Sequence, residues 1–330
     1  MNSRSRVEAA LKGAKVDRPP AAAWGHTYRE EWSPEALAKV TVQRARRYGW
    51  DFVKFQPRAS SFAEAFGARF QSAGHSLRAP KELEHPIHGH QDWSGLKPAD
   101  ATAPSLAEQV EALRLTVAEL GPDVPVLQTV FSPITVAGYL VGKDKRRAVR
   151  DLRRHPEEVL PALDRIAGTL IDFSLRSIEA GAAGVFYAIS GYASAGMMTA
   201  EEYDRWLFPL DERILGALPR SAWFNVLHLC RGQLHFDIAR RLPVQAISWS
   251  VADAGNPSLA EGRKLSGKAV MGGLGHRTTL YRGTPEEVVS EARKALHETG
   301  GERFLLAPGC SVPPGARAEN LVAMMKAVAA

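Results

Sequence analysis

The chain has 330 residues, a length that allows two domains or one large barrel. Hydrophobic residues make up 45% and charged residues 24%, a globular composition that excludes a disordered or fibrous chain. The net charge is +6, and the Arg residues are scattered over helix-like segments, which favours a solvated surface over a nucleic-acid-binding patch. No apolar stretch is long enough to span a membrane, and the first residues lack a secretory pattern, so we expect a cytoplasmic protein without a nucleic-acid or membrane partner.

Short apolar runs recur along the chain, each followed by a loop with Gly, Pro or Ser and then by a segment with helical periodicity. In chain order the runs are 21–24, 51–55, 124–131, 184–188, 222–227, 245–249, 269–273 and 303–307. Such nearly continuous apolar character is typical of parallel strands covered on both faces. These repeated β-then-α units predict an α/β fold, a closed (β/α)8 TIM barrel. A doubly wound open sheet is the alternative, although no G-x-G-x-x-G follows the first run.

The helical segments carry their own boundary signals. Thr199 with Glu202, and Thr284 with Glu287, have the spacing of capping boxes, and segment 156–180 has an apolar stripe at helical spacing. A plain barrel needs about 250 residues. We therefore expect one domain over residues 1–330, with additions in an N-terminal helix around 7–11 and in a polar insertion at 56–103, after the second strand.

The active site of such a barrel lies at the C-terminal ends of the strands. Both cysteines of the chain, Cys230 and Cys310, fall there, after the fifth and the eighth run. His228 stands two residues before Cys230, so in an extended segment both side chains project to the same side. One His and two Cys form a typical zinc ligand set that leaves a fourth position open for catalysis. The alternative is a pair of core cysteines with a chance histidine.

The chemistry of this ligand set favours alkyl transfer. A thiol that enters the open position becomes a thiolate near neutral pH, and this thiolate stays nucleophilic enough to attack a methyl group. Hydrolysis by an activated water is the other use of such a site, but two thiolate ligands lower the Lewis acidity of zinc. The sequence therefore predicts a zinc-dependent methyltransferase with a small-molecule thiol as acceptor.

Other polar residues also follow the strands. We predict His26, Tyr28 and Arg29 as binding residues for a carboxylate or phosphate, with pairing of Arg29 to Glu30 or Glu31 as the alternative. Arg58, after the second run, is a further candidate for substrate binding.

Two more histidine positions remain open. His276 follows a glycine-rich strand end, where a ligand can approach the backbone closely, but it is equally consistent with an ordinary loop histidine. His85, His88 and His90 have the composition of a metal cluster, yet they lie in the polar insertion, which favours a surface loop.

Five segments resemble the uroporphyrinogen decarboxylase superfamily, which includes zinc-dependent cobalamin-to-thiol methyltransferases. They cover much of the chain and comprise residues 16–20, 51–54, 132–140, 228–230 and 307–314 with the following 319–321. The resemblance implies a (β/α)8 barrel. In the methyltransferase branch it implies that His228, Cys230 and Cys310 bind Zn²⁺, and that a corrinoid such as methylcobalamin, free or on a corrinoid protein, donates the methyl group.

The decarboxylase branch matches less well. Its Gln-Ala-Gly-Arg segment is replaced by the sequence ending at Arg29, its aspartate after the second strand is missing before Arg58, and its last Gly-His-Gly is replaced by Pro308-Gly309-Cys310. A decarboxylase acting on a tetrapyrrole is still the alternative function, in which Arg29 and Arg58 would grip acetate groups and Tyr187 or His276 would assist the proton step. A second alternative is a module that binds a corrinoid or tetrapyrrole without catalysis.

Overall fold

The computed structural model describes residues 1–329 and contains a curled sheet of seven parallel strands. Every one of these strands is lined by buried residues, as expected for a sheet covered on both faces. In the order in which they pair, the strands are β1 (Val53–Phe55), β4 (Val126–Phe131), β5 (Gly184–Ile189), β6 (Val226–Leu229), β7 (Ala246–Ser248), β8 (Ala269–Leu274) and β9 (Phe304–Pro308). The predicted α/β barrel is confirmed.

The first predicted strand, 21–24, forms a single bridge and not a strand. Ala21 pairs in parallel with Leu306 of β9, and the Asp51 amide, just before β1, donates to the Ala21 carbonyl at 3.0 Å. The segment therefore lies between the last strand and β1 and closes the barrel. Its ladder is short because Pro20 has no amide to donate, and because the chain already turns toward Val312, whose amide donates to the Trp24 carbonyl at 2.9 Å.

Helices surround the sheet. Capping boxes are present at Thr199 and Thr284, as predicted, and the long helix after residue 156 buries its apolar stripe. The helices are α1 (Ser3–Lys12), α2 (Pro34–Tyr48), α3 (Ser61–Glu64), α4 (Asp92–Gly95), α5 (Pro104–Leu120), α6 (Pro133–Leu140), α7 (Lys145–Arg154), α8 (Pro156–Glu179), α9 (Ala200–Trp206), α10 (Phe208–Gly216), α11 (Ile238–Arg241), α12 (Leu259–Ser266), α13 (Thr279–Arg282), α14 (Pro285–Thr299) and α15 (Ala318–Ala329), with a 3₁₀ turn at Glu30–Trp32. Within residues 1–329, none of them combines the length and the apolar character needed to cross a bilayer.

The N-terminal helix α1 is tied to the barrel by a buried ion cluster. The Asp51 carboxylate is fully buried and accepts from Arg6 at 2.6 Å and from Arg18 at 2.6 Å. It also accepts from the Ala21 amide at 2.9 Å, so one carboxylate joins α1, the closing segment and the start of β1. A buried carboxylate is tolerated there because its oxygens have several donors.

The polar insertion, 56–103, contains α3, α4 and a separate antiparallel hairpin of β2 (Arg69–Gln71) and β3 (Lys81–Glu84). The hairpin itself is largely exposed. The insertion is anchored by Trp93, whose ring is fully buried and donates through Nε1 to Asp151 of α7 at 3.2 Å.

Candidate active site

Two cysteine sulfurs and one histidine ring meet at the C-terminal end of the barrel. His228 lies in β6, Cys230 directly follows β6, and Cys310 follows β9. Their ligand atoms all lie within 4.8 Å of one another, and the two sulfurs are 3.9 Å apart. Tetrahedral zinc with bonds of about 2.3 Å to sulfur requires two sulfurs to be roughly 3.8 Å apart. The donor set and its spacing therefore fit a zinc ion.

The backbone next to Cys310 explains how a residue after β9 reaches this cluster. A Cβ atom on Gly309 would lie 2.7 Å from the Cα atom of Ser250. Only glycine allows the two backbones to pass this closely, and the Gly309 amide still donates to the Leu274 carbonyl at 2.9 Å. The close passage brings Cys310 over the barrel mouth toward Cys230.

The ring of His228 is held on two sides. It stacks on Phe186 with centroids 5.1 Å apart, and its Nδ1 lies 3.2 Å from the Ser248 hydroxyl. A hydrogen bond at Nδ1 fixes the ring orientation and leaves Nε2 for a metal, which is the usual support of a ligating histidine.

The two sulfurs polarise each other. Hydrogen bonding from Cys230 lowers the pKa of Cys310 to about 6, and the Lys54 ammonium contributes in the same direction. The same hydrogen bond, together with burial, raises the pKa of Cys230. One sulfur is thus held as a thiolate near neutral pH, which is the form that binds metal ions.

A polar network continues from the sulfurs across the mouth. Gln56 accepts from Lys54 at 2.5 Å and from Ser311 at 3.3 Å through Oε1, and its Nε2 lies 3.0 Å from Nε2 of His26. Since an amide nitrogen only donates, His26 accepts at Nε2 and donates from Nδ1 to Glu31 at 2.7 Å. His26 is thus fixed as one tautomer.

Lys54 is a charge-bearing residue in the interior of this mouth. It is 5% exposed, and burial lowers its pKa to about 7, opposed by the charges of Cys310 and Glu31. Its ammonium lies 5.0 Å from the centroid of Phe186, the ring that also stacks on His228. Lys54 therefore couples the sulfur cluster to the network around His26.

The two predicted substrate-binding arginines are engaged elsewhere. Arg58 is 3% exposed, donates to Glu64 at 2.9 Å and to Glu108 at 3.1 Å, and lies over the ring of Trp32. Its guanidinium also donates to the Glu31 carbonyl at 3.0 Å, so these partners hold Arg58 in place and it is not free for the substrate binding that we predicted. Arg29 is exposed and pairs with Glu30 at 2.8 Å, which is the alternative that the sequence left open.

Of the remaining predicted residues, two lie at the mouth and one does not. Tyr28 stacks on His26 at 4.7 Å. His276 follows β8 at the same end of the barrel, and burial lowers its pKa, with smaller contributions in the same direction from the charges of Arg277 and His228.

Tyr187, which we predicted to be catalytic, points away from the mouth. Because Phe186 faces the barrel interior, its neighbour Tyr187 faces the helices, where its hydroxyl donates to Asp211 of α10 at 2.5 Å. Burial raises the pKa of Asp211 to about 7, opposed by the hydrogen bonds from Tyr187 and Tyr203. This position suits a structural role for Tyr187 better than a catalytic one.

A second group of potential ligands joins the insertion to the start of α8, and it contains only one of the three insertion histidines, for which the sequence favoured a surface loop. His85 and His88 pack together at 4.9 Å, whereas His90 stacks on His155 with centroids 3.6 Å apart. His90 also bonds to Glu158 of α8 at 2.8 Å. The ligand atoms of His90, His155 and Glu158 lie within 4.8 Å of one another.

Three residues of the mouth were missed in the sequence. The sequence pointed to Lys54, since it is a cation inside an otherwise apolar strand. It pointed more weakly to Ser248, which is a polar but uncharged residue inside an apolar run. It did not point to Glu31, which is 2% exposed, because the burial of Glu31 depends on how the loop after residue 25 folds back.

The profile of the uroporphyrinogen decarboxylase (URO-D) family matches residues 2–330. The chain belongs to the uroporphyrinogen decarboxylase family. A methylcobamide:CoM methyltransferase of Methanosarcina barkeri is 26% identical over 98% of this chain and 96% of its own length. A uroporphyrinogen decarboxylase of Paracoccus denitrificans is also 26% identical, over 90% of this chain and 86% of its own length.

Among solved structures, a methyltransferase from Methanosarcina mazei superposes with a TM-score of 0.84 at 23% identity, covering 99% of this chain and 98% of that chain. This likeness bears on the fold, and it agrees with the barrel described above. The sequence relatives bear out the prediction of a methyltransferase enzyme within the family and make the decarboxylase alternative the less favoured one.

Proposed function

We propose that the chain transfers a methyl group from a corrinoid to a small thiol, with Zn²⁺ bound by His228, Cys230 and Cys310. The observation that carries the proposal is the convergence of these three side chains at the C-terminal end of the barrel, with the two sulfurs 3.9 Å apart. The names of the Methanosarcina relatives, which pair a methylcobamide with coenzyme M, support the choice of donor and acceptor.

A zinc ion bound by these ligands would lower the pKa of an incoming thiol and so supply a thiolate nucleophile near neutral pH. The chain's own residues prepare the site for this. Ser248 and Phe186 fix the ring of His228, and Gly309 allows Cys310 to approach Cys230. The buried cation of Lys54 offsets part of the negative charge that two thiolates bring into the barrel.

The decarboxylase alternative depended on two arginines as ligands for the acetate groups of a tetrapyrrole. Arg58 is buried against two carboxylates and Arg29 is exposed and paired with Glu30, so neither arginine is free to hold acetate groups in the mouth. A binding module without catalysis differs from the proposal only in turnover. The assay below separates them.

Elemental analysis of the purified protein, joined to a methyl-transfer assay, tests the proposal. We expect one zinc ion per chain, and transfer from methylcobalamin to at least one thiol of a panel. Cys310→Ala should lose both, because two ligands bind zinc far more weakly than three. His297→Asn, an exposed histidine on α14, is the matched control and should keep both. Zinc at full occupancy in Cys310→Ala would refute the site, and zinc without any transfer would refute the activity.

A further inference from the structure

A pocket of about 500 Å³ opens beside the sulfur cluster, between the start of α7 and the loops after β5 and β6. We call it the cationic pocket. Its charged lining consists of four cations and one carboxylate, namely Lys143, Lys145, Arg146, Arg231 and Asp144. The rest of the lining is mainly small: Ser190, Gly191, Ser194, Gly196 and Gly232, with Met197. An excess of positive charge in a concave site favours an anionic ligand.

The one carboxylate does not neutralise these cations. Asp144 caps α7, and its side chain accepts from the Arg147 amide at 3.0 Å. Lys143 has a distant partner outside the pocket, Glu82 at 3.9 Å. Lys145 donates to the Ser190 carbonyl at 2.5 Å, which uses one of its three N–H groups and leaves two for a ligand.

The pocket adjoins the proposed zinc ligands. Arg231 directly follows Cys230, and the Cys230 amide donates at 3.4 Å to the carbonyl of Ile189, the residue before the Ser190 carbonyl that binds Lys145. A group held by Lys145 and Arg231 would therefore lie next to the reacting centre.

Part of the backbone around the pocket has an unusual left-handed conformation, which positions the side chain of Arg231. Four non-glycine residues among 1–329 have positive φ, and two of them, Lys143 at 62° and Arg231 at 87°, line the pocket. A Cβ atom on Gly191 would lie 2.8 Å from Cγ of Arg231, so glycine is needed for the arginine stem to lie there. Left-handed backbone at non-glycine residues is unfavourable and clusters at ligand sites.

We propose that the cationic pocket is an oxyanion site for the methyl transfer. The oxyanion is either the acid group of the thiol acceptor or the phosphodiester in the nucleotide loop of the corrinoid, because both are anions that a lysine and an arginine bind well. This inference rests on the proposed function, but binding can be measured without turnover.

The test uses Lys145→Gln and Arg231→Gln, with Arg231→Lys as the charge-conserving variant. Arg220→Gln, an exposed cation before β6 at the opposite end of the barrel, removes the same charge as a control. Each protein is loaded with zinc, its zinc content is checked, and ligand binding is measured by calorimetry. The acceptor arm compares 2-mercaptoethanesulfonate with neutral 2-mercaptoethanol. The corrinoid arm compares methylcobalamin with methylcobinamide, which lacks the phosphodiester.

If the acceptor supplies the oxyanion, Lys145→Gln and Arg231→Gln will bind the sulfonate about tenfold more weakly and mercaptoethanol unchanged. If the corrinoid supplies it, the same loss will appear for methylcobalamin and not for methylcobinamide. Arg231→Lys should keep most of the affinity in the arm that responds. The proposal is overturned if both Gln variants behave like Arg220→Gln in both arms. Absence of methyl transfer in the wild type would instead count against the proposed function and leave these binding results readable.

Discussion

The molecule contains two groups of three potential metal ligands, and they are built differently. His228, Cys230 and Cys310 stand at the ends of strands of one sheet and include two sulfurs, with His228 buried and both cysteines partly buried. His90, His155 and Glu158 join an insertion to the start of α8, are partly exposed, and contain no sulfur.

Bonding within the two groups also differs. The rings of His90 and His155 are stacked, with an angle of 3° between their planes and centroids 3.6 Å apart. His90 also bonds to Glu158 and Gln91. The lone pairs of an imidazole lie in the ring plane, so those of two stacked rings lie in two parallel planes, whereas the ligands of one ion must converge on it. Proximity of ligand atoms therefore identifies candidate metal sites, whereas orientation and competing bonds distinguish a metal site from a contact that only joins two elements. We call His90, His155 and Glu158, which join the insertion to α8, the insertion cluster.

The largest expected effect is on the number of zinc ions bound per chain, which tests the difference between the two groups directly. We expect Cys230→Ala to reduce zinc affinity more than roughly a hundredfold, because a soft ligand is lost from a three-ligand site. The double variant His90→Asn with His155→Asn should keep the zinc content of the wild type. Elemental analysis after dialysis against a weak chelator measures both. A second zinc ion in the wild type that disappears in the double variant would contradict our interpretation of the insertion cluster.

A smaller effect is expected from the support of His228. Ser248→Ala removes the hydrogen-bond partner of Nδ1, which should weaken zinc binding by about 10- to 100-fold while the three ligands remain. Competition with a chromogenic chelator gives the affinity. Ser174→Ala, a buried serine of α8 whose hydroxyl donates to the Leu170 carbonyl at 2.6 Å, is the control. Equal affinities in the two variants would mean that Ser248 does not orient the ring.

The smallest expected effect concerns the insertion cluster and the stability of the protein. Glu158→Gln removes the charge that pairs with His90 in a partly exposed setting, and it should lower the free energy of unfolding by at most about 1 kcal/mol. Zinc content should not change. Chemical denaturation with wild type and Glu201→Gln, an exposed carboxylate in the first turn of α9, measures the difference. A decrease of several kcal/mol in the free energy of unfolding would show that the insertion cluster stabilises the protein far more than its exposure suggests.

The sequence was informative where function depends on short spacing at strand ends. His228 and Cys230 are two residues apart, and Cys310 could be assigned to the same end of the barrel once the strands were located. The direction of Tyr187 could not be predicted, because a strand that is apolar on both faces has no alternation to separate its two sides. The roles of Arg58 and His90 depend on Glu108 and His155, partners 50 and 65 residues away, which no local pattern reveals.

The position of Cys310 after the last strand has a consequence for synthesis of the protein. A nascent chain presents His228 and Cys230 long before Cys310 leaves the ribosome, and β9 also supplies the bridge to Ala21 that closes the barrel. Completion of the ligand set therefore coincides with barrel closure. Until then only two of the three proposed ligands are available, so the complete proposed zinc site would form only together with the fold that shields it.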